Sequence, residues 1–200
     1  MYPFLKRFID ILVALLALIV LSPILIPVII ILKLTGEHEV FYLQKRIGYR
    51  NQPFYIWKFA TMLKNSPNLG AGIITLRNDP RVTPVGRFLR KTKINELPQL
   101  INVLKGDMSI VGPRPEVKKY VDLYTAEQQK VLSVKPGITD PVSIRFFNEN
   151  EIIARYPDPE EGYIREVMPE KLRLNLEYID HQSFSKDFAI VIKTIARIFS

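Results

Sequence analysis

The chain has 200 residues, no Cys, 2 His and a formal net charge of +8 at pH 7. That length suits one domain with a sizeable core, and the lack of cysteine excludes disulfides, thiolate metal sites and thiol nucleophiles. His38 and His181 lie too far apart for an H-E-x-x-H metal motif, and the positive surplus suits an anionic partner: nucleic acid, anionic lipid or a phosphorylated substrate.

Residues 11–32 carry no charge and follow Lys6, Arg7 and Asp10. A helix of roughly 20 apolar residues spans a bilayer, and the run lacks the small-residue cleavage site of a signal peptide. Ser22-Pro23 and then Pro27 interrupt it. Proline removes a backbone donor, and in lipid the freed carbonyl needs a partner, for which the Ser22 hydroxyl is the local candidate. Two geometries follow: a kinked helix that crosses, or a sharper break that returns the chain to the side it entered. Lys6 and Arg7 before the run and Lys33 after it favour two cytoplasmic ends, while length alone makes spanning the default.

Val40-Phe41-Tyr42-Leu43 and Phe54-Tyr55-Ile56-Trp57 are β-prone runs separated by a turn-rich stretch, the pattern of a hairpin with a longer loop. Its aromatics are expected in the core. Lys58-Phe59-Ala60-Thr61-Met62 reads as the opening of a short helix ended by a turn cluster over 65–72. Thr83-Pro84 starts the next helix, which places Arg87, Arg90 and Lys91 on one face at i, i+3, i+4. With Arg81 and Lys93 these form a basic segment, equally a solvated face or a phosphate site. No aromatic-interleaved nucleic-acid platform accompanies it.

In residues 91–115, Asn95 is a strong N-cap type and Pro98 suits a first helical turn. Leu97, Leu100, Ile101 and Leu104 repeat at i, i+3, i+4, i+7, and Gly106 stands where a helix stops. A short helix is expected here, with the Glu96 carboxylate at its positive end. Val111-Gly112-Pro113-Arg114-Pro115 then makes a stiff turn displaying one guanidinium. A carboxylate, a helix N-terminus and an arginine suit phosphate chemistry. Further on, a polar helix is expected over 120–133 and a turn over 135–141. Acidic solvated loops are expected at 148–151 and 157–161, and a helix from Pro169 toward Tyr178. The last helix, over 184–200, carries Phe188, Val191, Ile192, Ile195 and Ile198 on one side. It either packs on the domain or lies at a membrane surface.

The motifs resemble, in shared order over nearly the whole chain, the bacterial sugar transferase family, the monotopic phosphoglycosyl transferases. They are Lys6-Arg7-Phe8-Ile9-Asp10, Ser22-Pro23, Phe41-Tyr42-x-Gln44-x-Arg46-x-Gly48, Lys58-Phe59-Ala60-Thr61-Met62, Asp79-Pro80-Arg81-Val82-Thr83, Gly86-Arg87-Phe88-Leu89-Arg90, Glu96-Leu97-Pro98-Gln99-Leu100, Lys105-Gly106-Asp107-Met108-Ser109, Val111-Gly112-Pro113-Arg114-Pro115 and Lys135-Pro136-Gly137-Ile138-Thr139. The resemblance implies a mainly α fold with a small β-hairpin. Residues 1–36 would form a re-entrant membrane helix broken at Ser22-Pro23, and residues 37–200 a catalytic domain with interfacial amphipathic helices at the cytoplasmic face of the inner membrane. It implies transfer of a sugar-1-phosphate from a UDP-sugar to a polyprenol phosphate such as undecaprenyl phosphate, with release of UMP and a requirement for Mg²⁺. The partners are then the two substrates and membrane lipid, not nucleic acid, with a homodimer left open. Lys58, Arg81, Arg87, Arg90 and Arg114 are the implied phosphate-binding residues, and Glu96 the implied metal ligand.

In the family an Asp-Glu pair does the chemistry, the Asp attacking the β-phosphate to form a covalent phosphosugar intermediate. Here the pair reads Asn95-Glu96. An amide is a poor nucleophile, so three explanations stand open. Glu96 or another carboxylate such as Asp107 takes over the attack; Asn95 is engineered or deamidates; or the chain is a non-catalytic member that binds substrate or lipid. The intact surroundings favour altered chemistry. Ala60 replaces a frequent Arg, and Asp140 replaces a frequent Gly.

Overall fold

A computed structural model describes residues 2–66, 79–146, 152–153 and 155–198. Helix α1, Tyr2–Leu34, runs without interruption through Pro23 and Pro27. Pro23 cannot donate to the Ile19 carbonyl four residues back, and the Ser22 hydroxyl donates to that oxygen instead at 2.7 Å. The expected break at Ser22-Pro23 is thus a locally repaired proline within continuous helix. Phe4–Leu34 is long and apolar enough to cross a membrane.

Strands β1, Phe41–Ile47, and β2, Pro53–Phe59, form the expected antiparallel hairpin. Its aromatics are less buried than expected: Phe59 is buried, but Tyr42 and Tyr55 are exposed, and Phe41 stacks on Phe59 at the rim. The helix expected at Lys58-Met62 does not form. Lys58 and Phe59 end β2, Ala60 N–H donates to Val40 O, and Met62 bridges Val82. Pairing across the hairpin overrides the local preference of this stretch. Helix α2, Pro84–Lys91, begins as expected, with the Thr83 hydroxyl accepting from Gly86 N–H at 3.0 Å.

Asn95 is not an N-cap. It lies buried in a 3₁₀ turn, Ile94–Glu96, and α3, Gln99–Lys105, starts four residues after it, with Pro98 at the N-cap and no side-chain cap. Gly106 ends α3 at φ 92°, its N–H donating to Asn102 O. The buried face is Gln99, Leu100, Asn102 and Val103, rotated from the leucine stripe read from spacing.

Residues expected to form a turn near 137 instead form β4, Gly137–Thr139, parallel to β3, Ser109–Val111. The long polar helix expected over 120–133 is a short α4, Lys118–Val121, followed by turns and a 3₁₀ segment, Gln128–Ser133. Helix α5, Pro141–Arg145, is capped by Asp140. Asp158 likewise caps α6, Pro159–Gly162, where an acidic loop was expected. A π-helical turn, Tyr163–Val167, leads into α7, Met168–Asp180, and α8 is Phe184–Ile198. The expected acidic segment 148–151 and the later part of 65–72 lie outside the described residues.

Four apolar clusters hold these elements. Ala14, Ala17 and Leu18 of α1 pack with Ile56, Leu100, Val103 and Met108. Leu25, Val28 and Leu32 of α1 pack with Phe59 and Leu89. Ile47, Val117, Tyr120, Met168 and Leu172 build a third cluster, and Val111, Tyr178 and Ile190 a fourth. Truncating a fully enclosed member such as Leu89 to Ala costs about 2–5 kcal/mol. Exposed apolar side chains are densest on α1 (Phe4, Phe8, Ile19, Val20) and on α8 (Phe184, Phe188, Ile192, Ile195), with others on the hairpin (Leu43, Tyr55) and on α2 (Phe88). Helix α8 packs on the domain through Ile190 and Val191, while that stripe faces outward.

Candidate active site

The 3₁₀ turn and the turn after β3 face each other. Arg114 donates from Nη1 to Glu96 Oε2 at 3.1 Å and from Nη2 to Oε1 at 2.5 Å. The Arg114 turn is anchored from behind by Gly112 N–H to Thr139 O, Gly137 N–H to Pro113 O, and Arg114 N–H to Asp140 Oδ2 at 3.4 Å. The chains cross so closely that a Cβ on Gly137 would lie 2.1 Å from Gly112 N. Asp140 is fully buried and also accepts from Ser143 N–H and its hydroxyl. The residue that departs from the family pattern here is thus a brace for the arginine turn.

Lys58 reaches the same place from β2, opposite Tyr42 in the ladder. Burial pushes its ammonium down to about 7, with the charges of Arg114, Arg46 and Arg90 adding to the effect and Glu96 opposing it. Burial alone would raise the Glu96 carboxyl; Arg114 and Lys58 reverse that and hold it well below the usual carboxylate range. Arg90, in the last turn of α2, is lowered by desolvation, with Glu96 and Asp79 pulling the other way. Arg114 and Lys58 thus act on one carboxylate, with Arg90 between the fields of Asp79 and Glu96.

The other two arginines sit elsewhere. Arg81 is buried and grips Asp79 through Nε at 2.9 Å and Nη2 at 2.6 Å, while Nη1 donates to Ser66 O. Arg87 is exposed on the outer side of α2. Ser22 and Pro23 lie in α1, away from this cluster in the chain, and their described bond is the local one to Ile19.

Two amides here carry buried polar atoms without a hydrogen-bond partner. Asn95 Oδ1 is buried without one, and so are both polar atoms of Gln99, which is fully enclosed. Buried polar atoms are normally paired, so these orphans mark a place where substrate, water or an ion completes the bonding.

Sequence reasoning missed three positioning residues. Asn102, fully buried in α3, accepts from Trp57 N–H at 2.9 Å and donates to Tyr55 O at 2.7 Å. It stitches Lys58's strand to the helix behind Glu96. Glu116 accepts from Arg46 at 3.1 Å and from the Tyr163 hydroxyl at 2.6 Å, with Lys171 at 3.8 Å. It fixes the far side of Pro115. Asp140 is the third. A polar residue beside a Pro-Arg-Pro or Pro-Gly turn is the only hint that the sequence carried.

Cations beside a carboxylate and buried amides are chemistry that suits a multiply charged oxyanion. A sequence model described as bacterial sugar transferase matches residues 1–200. The chain belongs to the bacterial sugar transferase family. Named relatives agree. A UDP-N-acetylgalactosamine-undecaprenyl-phosphate N-acetylgalactosaminephosphotransferase of Aeromonas hydrophila is 36% identical, over 100% of this chain and 44% of the relative. The UDP-glucose:undecaprenyl-phosphate glucose-1-phosphate transferase of Escherichia coli is 37% identical, over 98% of this chain and 40% of the relative. The exopolysaccharide production protein ExoY of Sinorhizobium fredii is 34% identical, over 96% of this chain and 84% of the relative. The chain thus spans less than half the length of the first two and most of the third. Of the residues that the resemblance singled out, the fold brings Glu96, Arg114 and Lys58 together, with Asn95 next to Glu96 in the same 3₁₀ turn.

Proposed function

We propose that this chain transfers a sugar-1-phosphate from a UDP-sugar to a polyprenol phosphate, releasing UMP, at the cytoplasmic face of a bacterial inner membrane. The observation that carries this reading is the Arg114–Glu96 fork with Lys58 and Arg90 around it, in a chain that matches the family from end to end. Lys58, Arg90 and Arg114 bind the diphosphate, with the basic surface of α2 next to it. The donor names of the relatives point to UDP-glucose, UDP-galactose or UDP-N-acetylgalactosamine as the first sugars to try.

The residues fit a magnesium ion that arrives with the diphosphate. Mg²⁺ keeps several waters and takes one or two protein oxygens plus substrate phosphates. Among the described residues no group of three or more acidic or histidine side chains forms a cage. Glu96 and the orphaned Asn95 Oδ1 are the oxygens that would hold the ion, since a carboxylate has lone pairs beyond those the fork uses. Bound there, it would offset negative charge on the donor.

The monotopic placement of α1 draws support from its contacts; being continuous through Ser22-Pro23, the helix would lie in one leaflet rather than dip and return. Ala14, Leu18, Leu21, Leu25, Val28 and Leu32, spaced by three and four, all pack on the rest of the chain. Near one end, Lys6 pairs with Asp187 and Arg7 donates to Val103 O and Leu104 O. A helix tied to one domain along its length and near both ends stays on one side of a bilayer, with its outer apolar face in one leaflet. The outward stripe of α8 would lie on the same surface.

The test is UMP release by the purified chain in detergent with Mg²⁺, undecaprenyl phosphate and each UDP-sugar in turn. Release with one donor that depends on acceptor and yields a lipid-linked product supports the reading. A non-catalytic member, suggested by Asn95 alone, would bind UDP-sugar and release no UMP.

A further inference from the structure

Asn95 leaves the question of what attacks phosphorus, and the described carboxylates near the site are all engaged. Both oxygens of Glu96 are held by the Arg114 fork. Asp140 is fully buried and is bonded through both oxygens to Ser143 and Arg114 N–H. Asp79 is gripped by Arg81. Asp107, the other carboxylate that the sequence suggested, lies past the far end of the 7-residue α3. A helix of that length rises about 10 Å, and there Asp107 accepts from Asn102 and pairs with Lys105. None of these is a free carboxylate at the position of Asn95.

The charge balance points the same way. Arg114 forks onto Glu96, and Lys58 and Lys93 add positive charge around that one carboxylate. A second carboxylate at position 95 would repel an incoming phosphate; a neutral amide does not. Of the unpaired buried amide atoms, Gln99 Nε2 is a donor that suits a phosphoryl oxygen, whereas Asn95 Oδ1 and Gln99 Oε1 are acceptors that suit a cation or a donor group.

We infer that this chain moves the phosphosugar in a single displacement, with donor and acceptor bound together. The inference rests on the transferase reading. A phosphate oxygen of the polyprenol phosphate attacks the β-phosphorus of the UDP-sugar and forms the new P–O bond. The bond from that phosphorus to the oxygen bridging the two phosphates breaks, and UMP leaves with that oxygen and its electron pair. No proton has to be transferred and nothing is oxidised. The Asn95 side-chain N–H donates to a non-bridging oxygen of the transferring group, where charge builds up. Lys58, Arg90 and Arg114 hold the two phosphates against their mutual repulsion.

The experiment uses the full chain in detergent with Mg²⁺ and the donor that supports turnover. Incubated with UDP-sugar alone, it should release no stoichiometric burst of UMP, and labelled UMP should not exchange into UDP-sugar. The intact mass should remain that of the encoded chain, with Asn95 still an amide. Adding undecaprenyl phosphate should start UMP release, and initial-rate lines at several acceptor concentrations should intersect. A burst of UMP without acceptor, together with a phosphosugar adduct on Glu96, Lys58 or a deamidated Asn95, would overturn the single displacement and leave the transferase reading standing. No UMP under any condition would overturn both.

Discussion

The Arg114 guanidinium meets the Glu96 carboxylate as a two-toothed fork, with N–O distances of 3.1 and 2.5 Å. A lysine carries the same charge but cannot make two parallel bonds from a planar group. Arg114→Lys should therefore lower kcat/KM for the UDP-sugar by roughly 100-fold, the scale of losing one oriented donor at a transferring group. Steady-state UMP release measures it. A change within about twofold, well inside that scale, would mean that the fork is a structural clasp alone.

The same pair sets an acid dependence. The folded Glu96 carboxyl titrates below its unfolded value, so its contribution to stability is present above the unfolded pKa and is lost as pH falls toward the folded one. The stability gap between the parent chain and Arg114→Met should be widest near neutrality and shrink as the pH is taken below the ordinary carboxylate range. Denaturant midpoints in detergent across that range report it.

Lys58 titrates near 7 in the free protein. If its positive form grips the diphosphate, kcat/KM should fall as pH rises through about 7, because that parameter reports the free enzyme. Lys58→Arg stays charged and should flatten the fall. A parent profile that is level from pH 6 to 9 would remove Lys58 from diphosphate capture.

Asn102 should be a severe position although it touches no substrate. It is fully enclosed and bonded to Trp57 N–H, Tyr55 O and Asp107. Asn102→Leu leaves two hairpin backbone groups unpaired, at about 1–3 kcal/mol each. A fall in thermal midpoint with a weaker effect on donor specificity is the expected pattern.

Asp187 draws three donors into one buried spot: the Tyr2 hydroxyl at 2.6 Å, Lys6 at 2.5 Å and the Tyr178 hydroxyl at 2.6 Å. Asp187→Ala strands a buried ammonium and should cost about 3–5 kcal/mol. Limited proteolysis in detergent should then cut preferentially between α7 and α8 or within α8; an unchanged digest would argue that the apolar clusters alone hold those helices.

How much of this was legible in the sequence varied with the range of the forces involved. Local chemistry was: Thr83 before Pro84, Gly106 after α3, and the paired aromatic runs of the hairpin all formed as read. Elements that need a distant partner were not. Gly137–Thr139 becomes a strand only because Ser109–Val111 lies beside it, and Lys58 and Phe59 stay extended only because Tyr42 and Phe41 pair with them. Asn95 has the chemistry of a cap, but the 3₁₀ turn buries it before the helix begins. In the site, Glu96 and Arg114 could be picked out by motif, whereas their coupling could not. Arg81 and Arg90 looked alike in sequence, yet one grips Asp79 and the other reaches Glu96's field.

The crossing at Gly112 and Gly137 has a mechanical consequence. It clamps the arginine turn to β4, and Thr139 at the end of β4 is hydrogen-bonded to Thr194 of α8 at 2.6 Å. The helix whose aromatic stripe faces outward is therefore geared, through two side chains and one backbone crossing, to the guanidinium that forks onto Glu96. A tilt of α8 would be felt at Arg114 as a change in aim, so whatever that outward stripe rests against has a lever on the fork.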